Sequence, residues 1–164
     1  MPYDTSHARG VVVRRLLPAD LEAVIGLDAR ITGRSRSEYF KLKLDQNLTR
    51  SGIVVSLAAE LDGLFAGFLL ARVYYGEFGI LEPVAVLDTI GVHPDFQRKG
   101  VGAALMDQLR TDLSGLGVPK LQTEVGWAEP HLIAFFHSEG FEPAARFCLD
   151  LDLTARPRRE PEEG

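Results

Sequence analysis

The stretch that most constrains this chain runs from residue 84 to residue 116. Val84-Ala85-Val86-Leu87-Asp88-Thr89-Ile90-Gly91-Val92 is an apolar run, and it reads as a buried strand. It breaks at His93-Pro94-Asp95-Phe96. Gln97-Arg98-Lys99-Gly100-Val101-Gly102-Ala103 follows, and Val101, Leu105, Leu109, Leu113 and Leu116 then recur on one helical face. The order is strand, basic glycine loop, helix. The first amides of a helix have no acceptor within it, and the helix dipole makes that end electropositive. Gly100 and Gly102 carry no side chain, so a phosphate can approach their N–H groups closely. Arg98 and Lys99 add full positive charges beside them. The stretch reads as a pyrophosphate cradle. The plainer alternative is a strand-to-helix loop whose glycines only make a turn, but the order and spacing ask for more than a turn needs. It is not a Walker loop, because no G-K-[ST] follows four spacer residues. It is not a dinucleotide fingerprint either, because it lacks a third glycine in place and it is basic.

Composition limits the partners. A chain of 164 residues with 46% hydrophobic and 25% charged residues suits one domain with a sizeable core. A net charge of −5 argues against nucleic acid, so the basic loop is a local feature that suits a small anionic ligand. No apolar run reaches the ~20 residues needed to span a bilayer. Residues 1–10 are polar and lack a signal-peptide core, so a cytoplasmic setting and no membrane partner are expected. The one cysteine, Cys148, excludes an intramolecular disulfide framework and a Cys-based zinc site. His131 and His137 are off the helical three-or-four spacing, and no metal is expected.

Taken in order, residues 1–10 are a flexible lead-in, 11–153 a single domain and 154–164 a disordered tail. Residues 11–16 read as the first strand, and 18–30 as a helix ended by Gly33. Ser35 and Glu38 have capping-box spacing ahead of a second helix over residues 37–48. Residues 52–60 and 65–75 read as a hairpin turned at Asp62-Gly63. After the central strand and helix, Gly115, Gly117 and Pro119 force a stop. Residues 120–125 form a strand parallel to the one before the helix, joined by a right-handed crossover. Residues 130–138 form a short helix closed at Gly140, and 141–153 supply a last strand or hairpin. The order β-α-α-β-β-β-α-β-α-β makes an α/β fold, a mixed sheet with helices on both faces.

Gln97, Gly100, Gly102 and Ala103 match the Q/R-x-x-G-x-G/A signature, and the stretch resembles motif A of the GNAT N-acetyltransferases. The element order resembles their fold as well. The resemblance implies that residues 97–103 (Gln97, Arg98, Lys99, Gly100, Val101, Gly102, Ala103) bind the pyrophosphate of acetyl-CoA. It implies that the preceding strand, through Ile90 and Val92, lies along the pantetheine arm, with Val92 offering its N–H to the thioester carbonyl. Leu121, Glu124, Val125, Ile133, Gly140 and Phe141 fall on the pattern of the N-terminal acetyltransferases that modify ribosomal proteins. Two positions depart from it. Phe136 stands where that group has a tyrosine, at the cofactor side, and Glu129 where it has an asparagine. The tyrosine commonly protonates the departing thiolate, and Phe136 has no proton to give. A thiol of pKa ~8.5 leaves as thiolate without much help, so water, Tyr74, Tyr75 or His137 can substitute.

Acetyl transfer to an amine needs a base, an N–H for the developing oxyanion, and an amine held within ~3–3.5 Å of the carbonyl carbon. Glu124 is the first candidate base and Asp88, on the neighbouring strand, the second. Each can instead be structural, Glu124 as a solvated strand-end carboxylate and Asp88 as a cross-strand partner. His93 reads as a loop cap, and Cys148 as a core or edge-strand residue. In a fold of this kind Tyr39, Phe40 and Trp127 wall the acceptor groove, unless they simply pack. The expected activity is transfer of acetyl from acetyl-CoA to a primary amine (a protein N-terminus, a lysine or a small amine) in a ternary complex. The alternatives are a non-catalytic acyl-CoA-binding or regulatory domain, motivated by Phe136, and an interaction module that has kept only the fold. A homodimer paired through the last strand is compatible with the resemblance.

Overall fold

The computed structural model describes residues 10–154. The expected lead-in, apart from Gly10, and the expected tail after Thr154 lie outside them. The strands are β1 (Val11–Arg15), β2 (Leu57–Leu61), β3 (Leu64–Tyr74), β4 (Val84–Val92) and β5 (Lys120–Thr123). The helices are α1 (Leu21–Thr32), α2 (Ser37–Leu44), α3 (Val101–Gly115) and α4 (Pro130–Ser138). The strands form one sheet in the order β1-β2-β3-β4-β5. Neighbours are antiparallel except β4 and β5, which are parallel and joined through α3. Asp62 (φ 51°) and Gly63 (φ 78°) both lie in the left-handed region, as the tight turn between β2 and β3 requires.

Each face of the sheet buries its own cluster. On one side Val101, Leu105, Met106, Leu109 and Leu113 of α3 pack with Leu69, Ala71, Ala85 and Leu87. Phe136 of α4 joins them. On the other side Val24, Leu27, Phe40 and Leu44 of α1 and α2 pack on Ala58, Phe68 and Leu70. Val101, Leu105, Leu109 and Leu113 occupy the face that their spacing predicts. Leu116 does not, because α3 ends at Gly115 and leaves it 47% exposed.

β5 ends at Thr123 rather than at the expected Val125, and four further local expectations change. The capping box does not form: Arg36, not Ser35, is the residue before α2, and its guanidinium binds Asp28 at 2.6 and 2.9 Å. That ion pair fixes the entry to α2 in place of the cap. The helix passes after Leu44 into a π turn, Asp45–Thr49, which buries Asn47 completely. β2 starts only at Leu57, after Ser56 has used its hydroxyl on the Ala71 backbone. The last strand is absent. Residues 142–153 are exposed and belong to no strand among the described residues, although their alternation suits one. Among the described residues no helix is long and apolar enough to cross a membrane.

Candidate active site

The site begins where β4 and β5 part. They pair only over Val84–Leu87 and Lys120–Thr123, while β4 runs on to Val92. A bulge at this point changes the phase of β4. Leu70 pairs with Thr89 and Ala71 with Leu87, so Asp88 is the extra residue. Beyond the bulge the His93 N–H donates to Ala66 O at 2.8 Å, on the β3 side. Successive amides of a strand alternate in direction. The N–H groups of Ile90 and Val92 therefore point away from β3, into the gap that β5 has left. Without the bulge they would be spent on the β3 ladder.

The gap leads to the start of α3. Gly100 (φ 79°) takes the left-handed conformation that opens the helix, and Arg98 (φ 63°) adopts it with a side chain in place. The first internal bond of the helix runs from Ala104 N–H to Gly100 O, 2.9 Å. The amides of Val101, Gly102 and Ala103 precede it and have no acceptor within the helix. Gln97, Arg98 and Lys99 are exposed around them. Gly102 has a second task. A Cβ there would stand 3.2 Å from the Phe135 ring, so its bareness also lets α4 rest on the first turn of α3. His93 is a cap, as its place before Pro94 suggests: its ring accepts from Asp95 N–H at 3.1 Å and lies 4.8 Å from the Phe96 ring.

The two candidate bases are the next residues on each strand after the last β4–β5 pair, Leu87 with Thr123. They differ in surroundings. Asp88 receives Asn47 Nδ2 at 3.3 Å and lies 3.6 Å from Lys43 Nζ and 3.5 Å from Arg72 Nε. It anchors α2 and β3 to β4, as the cross-strand reading has it. Glu124 is exposed at the mouth of the gap. Lys43, Asn47 and Arg72 escaped the sequence reading. Their signal was available: Arg72 and Asp88 are opposite charges, each isolated in an apolar run, on strands predicted to be neighbours.

The aromatic residues divide. Tyr39 stays at the site, half-buried, with its hydroxyl 3.3 Å from Thr89 Oγ1 on β4. Phe40 is a correction. It is fully buried, edge-on to Tyr39 (5.0 Å) and Phe68 (5.7 Å), and belongs to the core under α2 rather than to a groove wall. Phe136 is likewise a core residue, 6% exposed between Phe135 and Phe141. Trp127 is entirely exposed on the loop after β5. Arg36 lies between Asp28 and the Tyr39 ring, 5.1 Å away. The Asp28 carboxylate raises the already high pKa of Arg36 against the effect of burial, so it is a fixed cation beside the site.

The fit to acetyl-CoA rests on these amides. Two strand amides in the gap suit an extended amide-bearing arm, and helix amides beside Arg98 and Lys99 suit a diphosphate. Among the described residues, no group of three or more His, Cys, Asp or Glu gathers as a metal site would require.

Similarity to known proteins follows the same outline. The [ribosomal protein bS18]-alanine N-acetyltransferase of Escherichia coli (strain K12) is 36% identical over 83 residues, 51% of this chain and 51% of the relative. That of Salmonella typhimurium (strain LT2) is 34% identical over 90 residues, 55% and 56%. The chain spans about half the length of the curated relatives it matches. Among solved structures, an aminoglycoside N-acetyltransferase AAC(6')-Iy in complex with CoA superposes with a TM-score of 0.72 at 20% identity, covering 87% of this chain and 95% of that one. That likeness is one of fold. The ribosomal-protein-S18-alanine N-acetyltransferase from Escherichia coli gives 0.67 at 26% identity, covering 82% and 79%. The model of the acetyltransferase (GNAT) family matches residues 21–141, from α1 through α4, and the chain belongs to that family.

Proposed function

We propose that this protein transfers the acetyl group of acetyl-CoA to a primary amine by direct attack in a ternary complex. The observation that carries the reading is two sets of amides near one another in sequence without a ladder or helix acceptor, those of Ile90 and Val92 in the strand gap and those of Val101, Gly102 and Ala103 at the start of α3. Acetyl-CoA supplies an activated acetyl group as a thioester. The helix amides with Arg98 and Lys99 hold the diphosphate, and Gln97 borders it. Val92 N–H stabilises charge on the thioester oxygen in this reading, where one fixed donor is worth ~10²–10³ in rate. Glu124, exposed at the mouth of the gap, takes the proton of the incoming amine directly or through a water. Asp88 holds Lys43 and Arg72 and leaves that task to Glu124.

Phe136 is buried and donates nothing. Tyr74 pairs with Val84, at the far end of β4 from Val92, and stacks on Arg72 at 5.0 Å. That leaves water, Tyr75 or His137 to protonate the thiolate, which at a thiol pKa of ~8.5 is a tolerable leaving group. The ribosomal-protein relatives make a protein N-terminal α-amine the first acceptor to assay.

The test is thiol release from acetyl-CoA with peptides bearing a free N-terminus, peptides bearing only lysine, and small amines. At least one class accelerates release over buffer. Glu124→Gln then lowers kcat/KM by ~10²–10⁴. The loss is larger at neutral pH for lysine (pKa ~10.4) than for an α-amine (~7.7–8.0), which more often arrives deprotonated. Full activity of Glu124→Gln across the pH range removes Glu124 as the base. CoA binding without turnover of any amine removes the enzymatic reading.

A further inference from the structure

Three buried side-chain atoms among the described residues have no hydrogen-bond partner: Asn47 Oδ1, Arg72 Nε and Gln122 Nε2. They gather on one face of the sheet. Leu70 packs with α1 and α2, so Arg72, two residues on along β3, points to the same side. Arg72 pairs with Val86 across β3 and β4, and Val86 with Gln122 across β4 and β5. Cross-strand partners share a face, so Arg72, Val86 and Gln122 form one row on the α2 side. Asp88, the extra residue of the bulge, stands beside that row. Asn47 Nδ2 donates to it at 3.3 Å, which fixes Oδ1 as the unsatisfied end of the amide. Lys43 Nζ and Arg72 Nε approach the same carboxylate only to 3.6 and 3.5 Å. Neither cationic side chain makes a hydrogen bond among the described residues. Two partly buried cations thus share one carboxylate, which leaves the cluster one positive charge in excess. Buried polar groups are as a rule paired, by protein, ligand or water. The cluster is also within reach of solvent. The Lys43 side chain is 17% and that of Arg72 27% exposed, and a cleft of about 400 Å³ opens beside Arg72, lined by Tyr74, Gln46 and Arg50.

We infer, resting on the acetyl-transfer reading, that this cluster is a second anchor for the acceptor: Arg72, Lys43 and Gln122 hold a carboxylate that the acceptor carries at a distance from its amine. An ionised carboxylate only accepts hydrogen bonds, and what is unpaired here is chiefly donors: the Arg72 guanidinium, the Lys43 ammonium and the Gln122 amide. It also balances the charge, two cations to two anions. Asn47 Oδ1 takes a water or an N–H of the acceptor. An apolar or cationic group in the same place satisfies none of the three donors and leaves the excess charge uncompensated. The position suits an anchor of this kind. Glu124, which takes the proton of the amine, follows Gln122 by two residues. Asp88 precedes Ile90 and Val92 by two and four residues, a span of ~7–13 Å at the rise of a strand. An extended chain of ~1.5 Å bonds covers that span in about six to ten bonds. An α-amino acid is too short for it. The carboxylate therefore belongs to an acidic side chain near the start of a peptide, or to a small amine with a long acidic arm.

Two acceptor series test this on the full chain, through initial rates of thiol release from acetyl-CoA. In the first, glycine, aminobutyrate, aminohexanoate and aminooctanoate (each with its amine at the far end from the carboxylate) are compared with alkylamines of the same length. In the second, peptides of one sequence carry Glu, Gln or Lys at the second residue. Along the first series kcat/KM climbs to aminohexanoate or beyond, where it exceeds that of the matching alkylamine ~10–100-fold, the strength of charged hydrogen bonds. A preference for Glu over Gln in the peptides makes a peptide the source of the carboxylate, and a preference confined to the amino acids makes it a small molecule. Arg72→Gln and, separately, Gln122→Leu bring the ratio of the preferred acidic acceptor to its uncharged match towards one, through KM rather than kcat. Arg72→Lys restores part of the ratio. A fold damaged by either substitution lowers both acceptors together and changes the far-UV circular dichroism, so the ratio reads the contact alone. Equal kcat/KM for acidic and uncharged acceptors of the same length overturns the inference and leaves acetyl transfer standing. So does a ratio that neither Arg72→Gln nor Gln122→Leu alters. Failure of the wild type to turn over any amine removes the acetyl-transfer reading itself, and the anchor with it.

Discussion

Asp20 and Asp88 are both single carboxylates beside apolar sequence, and the fold uses both as anchors. Asp20 accepts from both terminal nitrogens of Arg14 and from Leu17 N–H, each at 2.8 Å. The Arg14 guanidinium holds the Asp20 pKa below its ordinary value, with the Leu17 amide helping and burial opposing. A folded pKa below the unfolded one means that the stabilisation is present above the unfolded value of ~3.9 and is lost as pH falls through the folded value. Asp20→Asn should therefore cost about 1–3 kcal/mol at pH 7. Urea unfolding at a series of pH values should show the gap between variant and wild type begin to close below about pH 4, where the unfolded chain takes up the proton, and vanish only below the depressed folded pKa. Neither anchor announced itself from spacing alone. The partners of Asp88 come from α2, the π turn and β3, and no local pattern links them. Glu124 was legible as a candidate because it follows a strand parallel to β4. Tyr39 and Phe40 were not separable in sequence, although adjacent helix positions differ by about 100° in direction, which is enough to send one to β4 and the other to the core.

At the scale of elements, what repeats locally was readable and what depends on a partner was not. The α3 stripe, the Asp62-Gly63 turn and α4 all declared themselves by period or turn chemistry, and each stands within a residue or two of its expected place. The early end of β5 and the phase change at Asp88 did not, because both are set across strands. Residues 141–153 show the limit most clearly. Alternation says that a segment can pair, but not with which edge. Two glycines give a test of how tightly these elements are fitted. A Cβ on Gly67 would stand 2.9 Å from Gly91 O and 2.9 Å from Val101 Cγ1. The first contact is backbone, so it cannot rotate away, and Val101 opens α3. Gly67→Ala should lose about 1–3 kcal/mol in urea unfolding, as overpacked sites do. It should also weaken CoA binding, because the start of α3 is displaced. Gly26 lies inside α1 with nothing within 4 Å of a Cβ. Gly26→Ala should instead add about 0.5–1 kcal/mol through helix propensity and leave CoA binding unchanged.

Over the whole molecule the net charge opposes the proposed ligand, while the cradle is locally basic. The chain carries −5, so the far field repels an anionic coenzyme, while Arg98 and Lys99 are exposed at the electropositive end of α3. Screening acts differently on the two contributions. At ~0.1 M salt the Debye length is ~10 Å, enough to keep the loop charges effective at contact, and at ~1 M it is ~3 Å. Hydrogen bonds from the helix amides act at contact and change little. If the loop charges dominate, the CoA dissociation constant measured by calorimetry should rise ~10-fold between those salts. Arg98→Ala with Lys99→Ala should lose at least ~10-fold at low salt, since charge-assisted contacts are the stronger ones. The double variant should then be nearly flat in salt, or tighten slightly as the repulsive background is screened. A wild-type affinity indifferent to salt would give the binding to the amides of residues 101–103 and leave the basic pair a minor role. The same titration on Gly100→Val, which forces a side chain into a left-handed position at the head of those amides, should then abolish binding at either salt concentration.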